Sequence, residues 1–192
     1  MRVFINDDIA HFDWQAALPL LSAQRREQAL RFKHELGRKQ CAAAYLLLCE
    51  GLRQEYGITE PPLFDYGEHG KPFLAAYPDI HFSLSHCREG VLCVVDNHPV
   101  GADIESIREY KESLVSYTMN SDEQAQILHS ANPAMEFTKL WTMKEAVLKQ
   151  RGTGITNDLK SALTDYGGQL KTVVNEEKKY IYTIATLKTE QL

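Results

Sequence analysis

The chain of 192 residues carries a formal net charge of −5, and 44% of its residues are hydrophobic and 24% are charged. These proportions are ordinary for a globular protein and exclude a disordered or collagen-like chain. The small acidic excess does not indicate general nucleic-acid binding, and no apolar run approaches the roughly 18 residues of a membrane helix.

A short strand is predicted at residues 2–6, and acidic residues follow where a signal peptide would need a long apolar core. The four cysteines include no C-x-x-C pair, and their spacing fits neither a metal site nor a disulfide framework. We therefore expect a soluble protein of the cytoplasm, with neither nucleic acid nor a membrane as a partner.

Two helices with a basic cluster are predicted next. Ser22 can cap a helix that runs to about residue 34, and a second helix spans roughly residues 38–56. Six basic residues and two acidic ones fall between Arg25 and Lys39. This cluster indicates either a solvated helix face, which is the commoner case, or a site for a phosphorylated or acidic partner.

A loop rich in glycine and proline separates these helices from three predicted strands. The strands correspond to the segments IHFSLSH, VLCVV and PVGADIE. Between the last two, Asp96-Asn97 suits a tight turn, which predicts a hairpin.

Two helices and two strands are predicted in the remainder of the chain. Ser121-x-x-Gln124 predicts a capping box for a helix that ends near residue 129. Asn132-Pro133 predicts the start of a helix to about residue 150. The two strands follow in the C-terminal tail, so the whole pattern is α+β.

The segment GADIE places two carboxylates two positions apart in a predicted strand. Because side chains alternate along a strand, Asp103 and Glu105 face the same way, with Cα atoms roughly 7 Å apart. Their oxygens can converge on one hard cation, and Mg²⁺ binds one or two carboxylates together with substrate phosphates. The alternative is an ordinary half-exposed strand whose acids face water.

Lys144 lies near the middle of an apolar helix face in the segment LWTMKEAVLK. A lysine buried in an apolar stripe is costly unless an anion meets it. An anionic ligand, pairing with a structural acid, and extension of the side chain to solvent all stay open. Glu145, on the border of the same face, could supply a third carboxylate, with the charge of Lys149 beside it.

Lys71 and His86 complete the candidate set. In the segment GKP, the backbone of Lys71 is restricted on both sides, so its ammonium is displayed in a fairly fixed direction. His86 ends a strand, where it is either a structural residue or a group that reaches into a cleft. Cys87 is not a nucleophile activated by His86, because adjacent residues of an extended segment point to opposite faces. The candidate set contains three possible metal-binding carboxylates and several cations for phosphate, and it offers no obvious covalent nucleophile. Such a set suits phosphoryl-type transfer.

The order of these motifs resembles the 4′-phosphopantetheinyl transferase superfamily, in its longer single-chain branch that activates surfactin synthetase. The motifs are GKP at 70–72, HFSLSH at 81–86, VGADIE at 100–105 and LWTMKEAVLK at 140–149 followed by GTGI. The resemblance implies transfer of 4′-phosphopantetheine from coenzyme A to a serine of an apo acyl or peptidyl carrier protein, with release of adenosine 3′,5′-bisphosphate. The alternative is a non-catalytic module of the same fold that binds coenzyme A or a carrier protein.

The resemblance implies a metal and transfer site. Asp103, Glu105 and Glu145 would bind Mg²⁺, or Mn²⁺ in its place. The proton of the incoming serine would pass to Glu105, to Glu145 or to a metal-bound water. Lys149 would neutralise charge on the phosphate, so the predicted catalytic set is Glu105, Glu145 and Lys149.

The resemblance also implies how coenzyme A is held. Lys144 would contact the pyrophosphate, which would explain its place on the apolar face, and the GKP segment would frame the adenine. A serine, a histidine and two arginines would approach the 3′-phosphate. The full predicted set of contacts to coenzyme A is Arg25, Arg38, Lys71, Pro72, Ser85, His86, Asp103, Lys144 and Lys149.

The fold implied by the resemblance is α+β, with two pseudo-symmetric α/β halves and the active site between them. We expect residues 1–97 to form the N-terminal half on the nucleotide side of coenzyme A. Residues 98–192 would form the C-terminal half with the metal and transfer residues. Because one chain holds both halves, we expect a monomer.

Overall fold

The computed structural model describes residues 1–154 and 159–188, which form a mixture of helices and strands that confirms the α+β class. The elements before residue 97 are β1 (Arg2–Asn6), α1 (Trp14–Ala17), α2 (Ala23–Arg31), α3 (Glu35–Tyr56), β2 (Asp65–Tyr66), β3 (Pro72–Phe73), β4 (His81–His86) and β5 (Val91–Asp96), with 3₁₀ turns at Ile9–His11 and Leu18–Leu20. Those after it are β6 (Val100–Ser106), α4 (Glu112–Thr118), α5 (Ser121–His129), α6 (Pro133–Arg151), β7 (Gln169–Asn175) and β8 (Tyr180–Thr186).

Two antiparallel three-stranded sheets organise the chain, one in the order β1-β5-β4 and the other in the order β6-β8-β7. The predicted hairpin between β5 and β6 is wrong. Strand β5 already pairs with β1 on one side and β4 on the other, so the turn at Asp96-Asn97 leads the chain into the second sheet. A pseudo-symmetric relation between the halves, and their boundary at residues 97 and 98, stay predictions.

Each sheet packs against one long helix. The buried side chains Tyr45, Leu48 and Leu52 of α3 share a core with Phe82 of β4 and Cys93 of β5. Each fully buried aliphatic side chain of this kind contributes roughly 1.5–3 kcal/mol to stability. On the second sheet, α6 packs against β8 and against the neighbouring β6.

Helix ends follow their local sequences, with several differences from the predictions. Helices α3 and α6 both end at a glycine with a left-handed backbone, Gly57 and Gly152, as the positions of these glycines indicate. The predicted cap at Ser121 is wrong, because Asn120 caps α5 and forms a reciprocal capping box with Glu123. The prediction also lacked the short helices α1 and α4, of which α4 has seven residues and no side-chain cap. None of the helices in the described part of the chain is both long and apolar enough to cross a bilayer.

Two buried serines join the edges of the sheets. Strands β4 and β6 are edge strands of different sheets, and they do not pair through their backbones. Instead the N–H of Ala102 donates to Ser83 Oγ at 2.9 Å, and the N–H of Ile104 donates to Ser85 Oγ at 3.3 Å. The two hydroxyls therefore satisfy buried backbone amides of β6 and set its position beside β4.

We expect the substitution Ser83→Ala to lower the free energy of unfolding by about 1–3 kcal/mol, because it leaves the buried Ala102 N–H without an acceptor. Urea denaturation of both proteins measures the change. Ser116, an exposed serine of α4, is a matched control, and Ser116→Ala should alter stability by less than about 0.5 kcal/mol. Equal losses in the two variants would contradict a bridging role for Ser83.

Candidate active site

Asp103 lies at the centre of a polar cluster between β6, β4 and α6. Its side chain is almost completely buried. Its Oδ1 accepts hydrogen bonds from Ser85 Oγ at 2.8 Å and from Lys149 Nζ at 2.6 Å. Its other oxygen, Oδ2, is buried and receives no hydrogen bond from any described residue. One side of the carboxylate is thus fixed, and the other side is left for a ligand.

Two glutamates stand beside Asp103. Glu105 follows it on β6 and accepts a long hydrogen bond from Trp141 Nε1 at 3.4 Å. Glu145 lies on α6, and its Oε1 is buried without a partner among the described residues. Burial and, second, the negative charge of Asp103 raise the pKa of both glutamates, while Lys149 acts in the opposite direction. The charge of Asp103 therefore acts on both of the other carboxylates.

Gly101 explains how α6 comes so close to β6. A Cβ atom at this position would lie 2.0 Å from the carbonyl oxygen of Ala146 and 2.3 Å from the amide nitrogen of Gln150. Both are backbone atoms of α6, so only a glycine fits there. The contact brings Glu145 and Lys149 of α6 against the acids of β6.

The donor chemistry of the cluster fits a divalent cation. The described residues contain no group of three His, Cys, Asp or Glu side chains already gathered as metal ligands. However, Asp103 Oδ2 and Glu145 Oε1 are buried carboxylate oxygens without partners, which is costly unless something positive meets them. Carboxylate oxygens are the ligands that Mg²⁺ and Mn²⁺ prefer. Asp103, Glu145 and the neighbouring Glu105 are therefore suitable residues to hold such a cation.

A cavity of ≈ 230 Å³ opens beside this cluster. It brings Lys71 and Pro72 of the GKP segment together with Glu145 and Lys149 of α6. The Lys71 ammonium donates to the carbonyl oxygens of Val100 and Gln150, at 3.1 and 3.4 Å, and burial lowers its pKa. Glycines 152 and 154 complete this wall, and Ile155 of the GTGI motif lies outside the described residues.

A second cavity of ≈ 390 Å³ begins at Glu105. Its lining includes Trp141 and Phe137 of α6 and the basic residues Arg108 and Lys111. The two cavities share no lining residue, and the acids of the cluster contribute to both, Glu145 to the first and Glu105 to the second. The cluster can therefore be approached from two directions.

Lys144 does not join the cluster, contrary to the role that the resemblance implies. Its side chain is completely buried, and its Nζ forms an ion pair with Glu123 at 2.8 Å and donates to the Leu159 carbonyl oxygen at 2.6 Å. An acid within the protein supplies the anion that this lysine needs. Arg38 is also engaged elsewhere, since it donates to the Phe32 carbonyl oxygen and lies over the Trp14 ring.

His86 and Arg25 stand near the cluster without a hydrogen bond to it. His86 lies at the end of β4, where desolvation of its ring by the surrounding protein and, second, the charge of Lys149 lower its pKa. Arg25 is half-buried, donates twice to the carbonyl oxygen of Cys41, and lies 5.5 Å from the centre of the Phe64 ring. Most cations of the basic cluster likewise bind backbone carbonyls or acids of their own region.

Three residues that support the site were not predicted. Trp141 belongs to the segment LWTMKEAVLK, whose pattern does not indicate that the indole N–H reaches Glu105. Glu123 was not predicted to pair with Lys144, although Asn120-x-x-Glu123 is itself a capping-box pattern that marks Glu123 as a fixed acid. For Ser83, the alternation Ser-x-Ser within a buried strand was the available signal.

Comparisons with known proteins identify relatives of this chain in one family. The family model described as the 4′-phosphopantetheinyl transferase superfamily matches residues 99–189. A 4′-phosphopantetheinyl transferase of Bacillus subtilis is 31% identical over 165 residues, which are 83% of this chain and 72% of the relative. The 4′-phosphopantetheinyl transferase gsp of Aneurinibacillus migulanus is 32% identical over 162 residues, 83% of this chain and 67% of the relative. The psf-1 transferase of Bacillus pumilus is 30% identical over 160 residues, 82% and 69% respectively.

Proposed function

This chain belongs to the 4′-phosphopantetheinyl transferase superfamily, and from that premise we propose that it transfers the 4′-phosphopantetheine group of coenzyme A to a serine hydroxyl of an apo carrier protein. The bond that breaks lies in the pyrophosphate of coenzyme A, and the leaving group is adenosine 3′,5′-bisphosphate. The bond that forms joins the serine oxygen to the phosphorus of the phosphopantetheine. The serine proton passes to a base in the site.

The unpartnered oxygens of Asp103 and Glu145 are the observation that carries the proposal. They stand beside the ammonium of Lys149, which already binds Asp103. With Glu105 they would hold Mg²⁺ or Mn²⁺, which when bound would neutralise charge on the pyrophosphate. Lys149 would add a second positive charge next to the phosphates, which is the electrostatic stabilisation that phosphoryl-type transfer depends on.

Coenzyme A would lie with its nucleotide part in the first cavity. Lys71 and Pro72 line this cavity together with Lys149. The adenine would pack against Pro72, and the ammonium groups of the two lysines would face the phosphates. His86, Ser85 and Arg25 would face the 3′-phosphate from β4 and α2. Ser85 also holds Asp103, so it would keep the acid in place rather than contact phosphate alone.

The carrier serine would approach through the second cavity. Glu105 lines that cavity and also belongs to the acid cluster, so its carboxylate is the first that an entering hydroxyl would meet. We assign to Glu105 the acceptance of the serine proton, with Trp141 fixing the orientation of the carboxylate. A cytoplasmic location, a monomeric state and the absence of nucleic-acid and membrane partners stay predictions.

Mass spectrometry of an apo carrier protein tests the proposal. An apo acyl carrier protein and an apo peptidyl carrier protein are each incubated with this chain, coenzyme A and Mg²⁺. We expect a gain of one phosphopantetheine on at least one carrier and no gain with EDTA, because chelation removes the cation from the carboxylates. Binding of coenzyme A without any mass gain would instead support the non-catalytic module. A gain that survives EDTA would contradict the metal site.

A further inference from the structure

Lys144 is a buried charge that the proposed transfer does not use. It lies next to Glu145 on α6, yet its ammonium points to Glu123 Oε2 and the Leu159 carbonyl oxygen and not to the acid cluster. No part of its side chain is exposed. A buried ion pair is weak support for stability, because apolar residues of the same volume are often equally good. The ion pair between Lys144 and Glu123 therefore indicates a role in the placement of α6 rather than in stability alone.

The partners of Lys144 are themselves fixed. Glu123 Oε2 also accepts the N–H of Asn120 at 2.8 Å, and Asn120 Oδ1 accepts the N–H of Glu123 at 2.9 Å. The Asn120 amide in turn donates to the carbonyl oxygen of Lys160. One network thus ties α6 to the start of α5 and to the backbone of Leu159 and Lys160.

Helix α6 is held from two sides. On one side, the backbone of Gly101 in β6 touches the backbone of α6 around Ala146 and Gln150. On another side, Lys144 binds two acceptors of fixed position and direction. Apolar burial is non-directional, whereas a hydrogen-bonded ion pair fixes both the distance and the direction between its partners. Since Glu145 is the next residue, a rotation of α6 at Lys144 moves its carboxylate directly.

We propose that Lys144 is a positioning residue, which through Glu123 sets the rotation of α6 and thereby aims the carboxylate of Glu145 at the cation site. The proposal rests on the proposed function for the identity of that site. Lys144 does not touch coenzyme A, and its loss acts on metal binding first.

The double substitution Lys144→Met/Glu123→Gln tests the proposal in the chain of 192 residues. Glutamine keeps an acceptor for the Asn120 N–H, and neither residue leaves a buried charge unpaired. The single substitution Lys144→Met leaves the buried carboxylate of Glu123 without its ion-pair partner and should lower the thermal midpoint by about 10 °C. We expect the double variant to recover most of that loss, so that it can be measured as a folded protein. Lys139→Met is the matched control, since Lys139 is a partly exposed lysine of α6 that pairs with Glu136 within the same helix.

Electron paramagnetic resonance of Mn²⁺, titrated with coenzyme A present, reads the metal site without turnover. Calorimetry of coenzyme A in EDTA reads the nucleotide site. We expect Mn²⁺ to bind the double variant about 10- to 100-fold more weakly than the wild type. The affinity for coenzyme A in EDTA should stay within a factor of about two, since no substrate contact is lost. The Lys139→Met control should match the wild type in both measurements.

Two results would overturn the proposal. Wild-type Mn²⁺ affinity in the double variant would mean that the pair only stabilises the fold. A loss of coenzyme A affinity in EDTA would mean that Lys144 contacts the nucleotide. A wild-type chain that binds no Mn²⁺ contradicts the metal site of the proposed function as well, and this separates the failure of that site from the failure of the positioning role alone.

Discussion

Replacing Asp103 with asparagine should reduce phosphopantetheine transfer by about a thousandfold or more while the fold stays intact. Asparagine can keep the acceptor oxygen that binds Ser85 and Lys149. At the position of Oδ2, however, an amide would present hydrogen atoms where the carboxylate presents an unpartnered oxygen. The substitution therefore removes the negative charge and the free acceptor together.

The same substitution should leave stability unchanged or raise it. Three carboxylates share this cluster, and burial first and the charge of Asp103 second raise the pKa of Glu105 and of Glu145. Such repulsion is a cost in the folded protein, of the kind that active sites carry for the sake of function. Neutralising Asp103 relieves this repulsion, and Lys149 keeps the charges of Glu105 and Glu145 near it, so the thermal midpoint should not fall.

Turnover by mass spectrometry and thermal unfolding by circular dichroism measure the two effects on the same preparations. Asp79→Asn is the matched control, because Asp79 is an exposed acid of a loop, and this variant should transfer at the wild-type rate. An Asp103→Asn variant that keeps transfer within about tenfold of the wild type would contradict the assignment of Asp103 to the metal.

Local rules were sufficient to place two acids of the candidate site on the same side of one strand. Alternation along one strand puts Asp103 and Glu105 on the same side, and this depends only on the residues of β6. The end of α6 at Gly152, a glycine with a left-handed backbone, also follows from local sequence, because it depends only on the last turn of the helix. The pattern could not decide between a solvated strand face and a buried cluster, since burial comes from α6 packing over β6.

The errors arose where distant segments compete for the same partner. Asp96-Asn97 has the sequence of a hairpin turn, but β1 and β4 occupy both sides of β5, and β6 pairs with β8 near the end of the chain. No local pattern contains that information. Lys144 is a similar case: its place on an apolar face indicated that an anion was needed, and the choice between a ligand and Glu123 depended on the packing of α5 against α6.

The substitution Gly101→Ala should lower transfer by about a hundredfold or more and destabilise the protein by about 3 kcal/mol. A Cβ would overlap the carbonyl oxygen of Ala146 and the amide nitrogen of Gln150. These are backbone atoms inside a helix, so no side chain can rotate away, and α6 as a whole has to shift. Glu145 and Lys149 would move with it, away from Asp103.

Gly167 offers the matched control, because nothing lies within 4 Å of the position that its Cβ would occupy. Gly167→Ala should leave transfer unchanged and alter the free energy of unfolding by less than about 1 kcal/mol. Urea denaturation and the carrier-protein assay compare the two variants with the wild type. If Gly101→Ala keeps wild-type transfer, then the close approach of α6 to β6 is not what brings the lysine and the acids together. Gly101→Ala should also lower the free energy of unfolding more than Ser83→Ala does. Ser83 only joins two strands, whereas Gly101 allows the close packing of α6, the helix that carries Glu145 and Lys149.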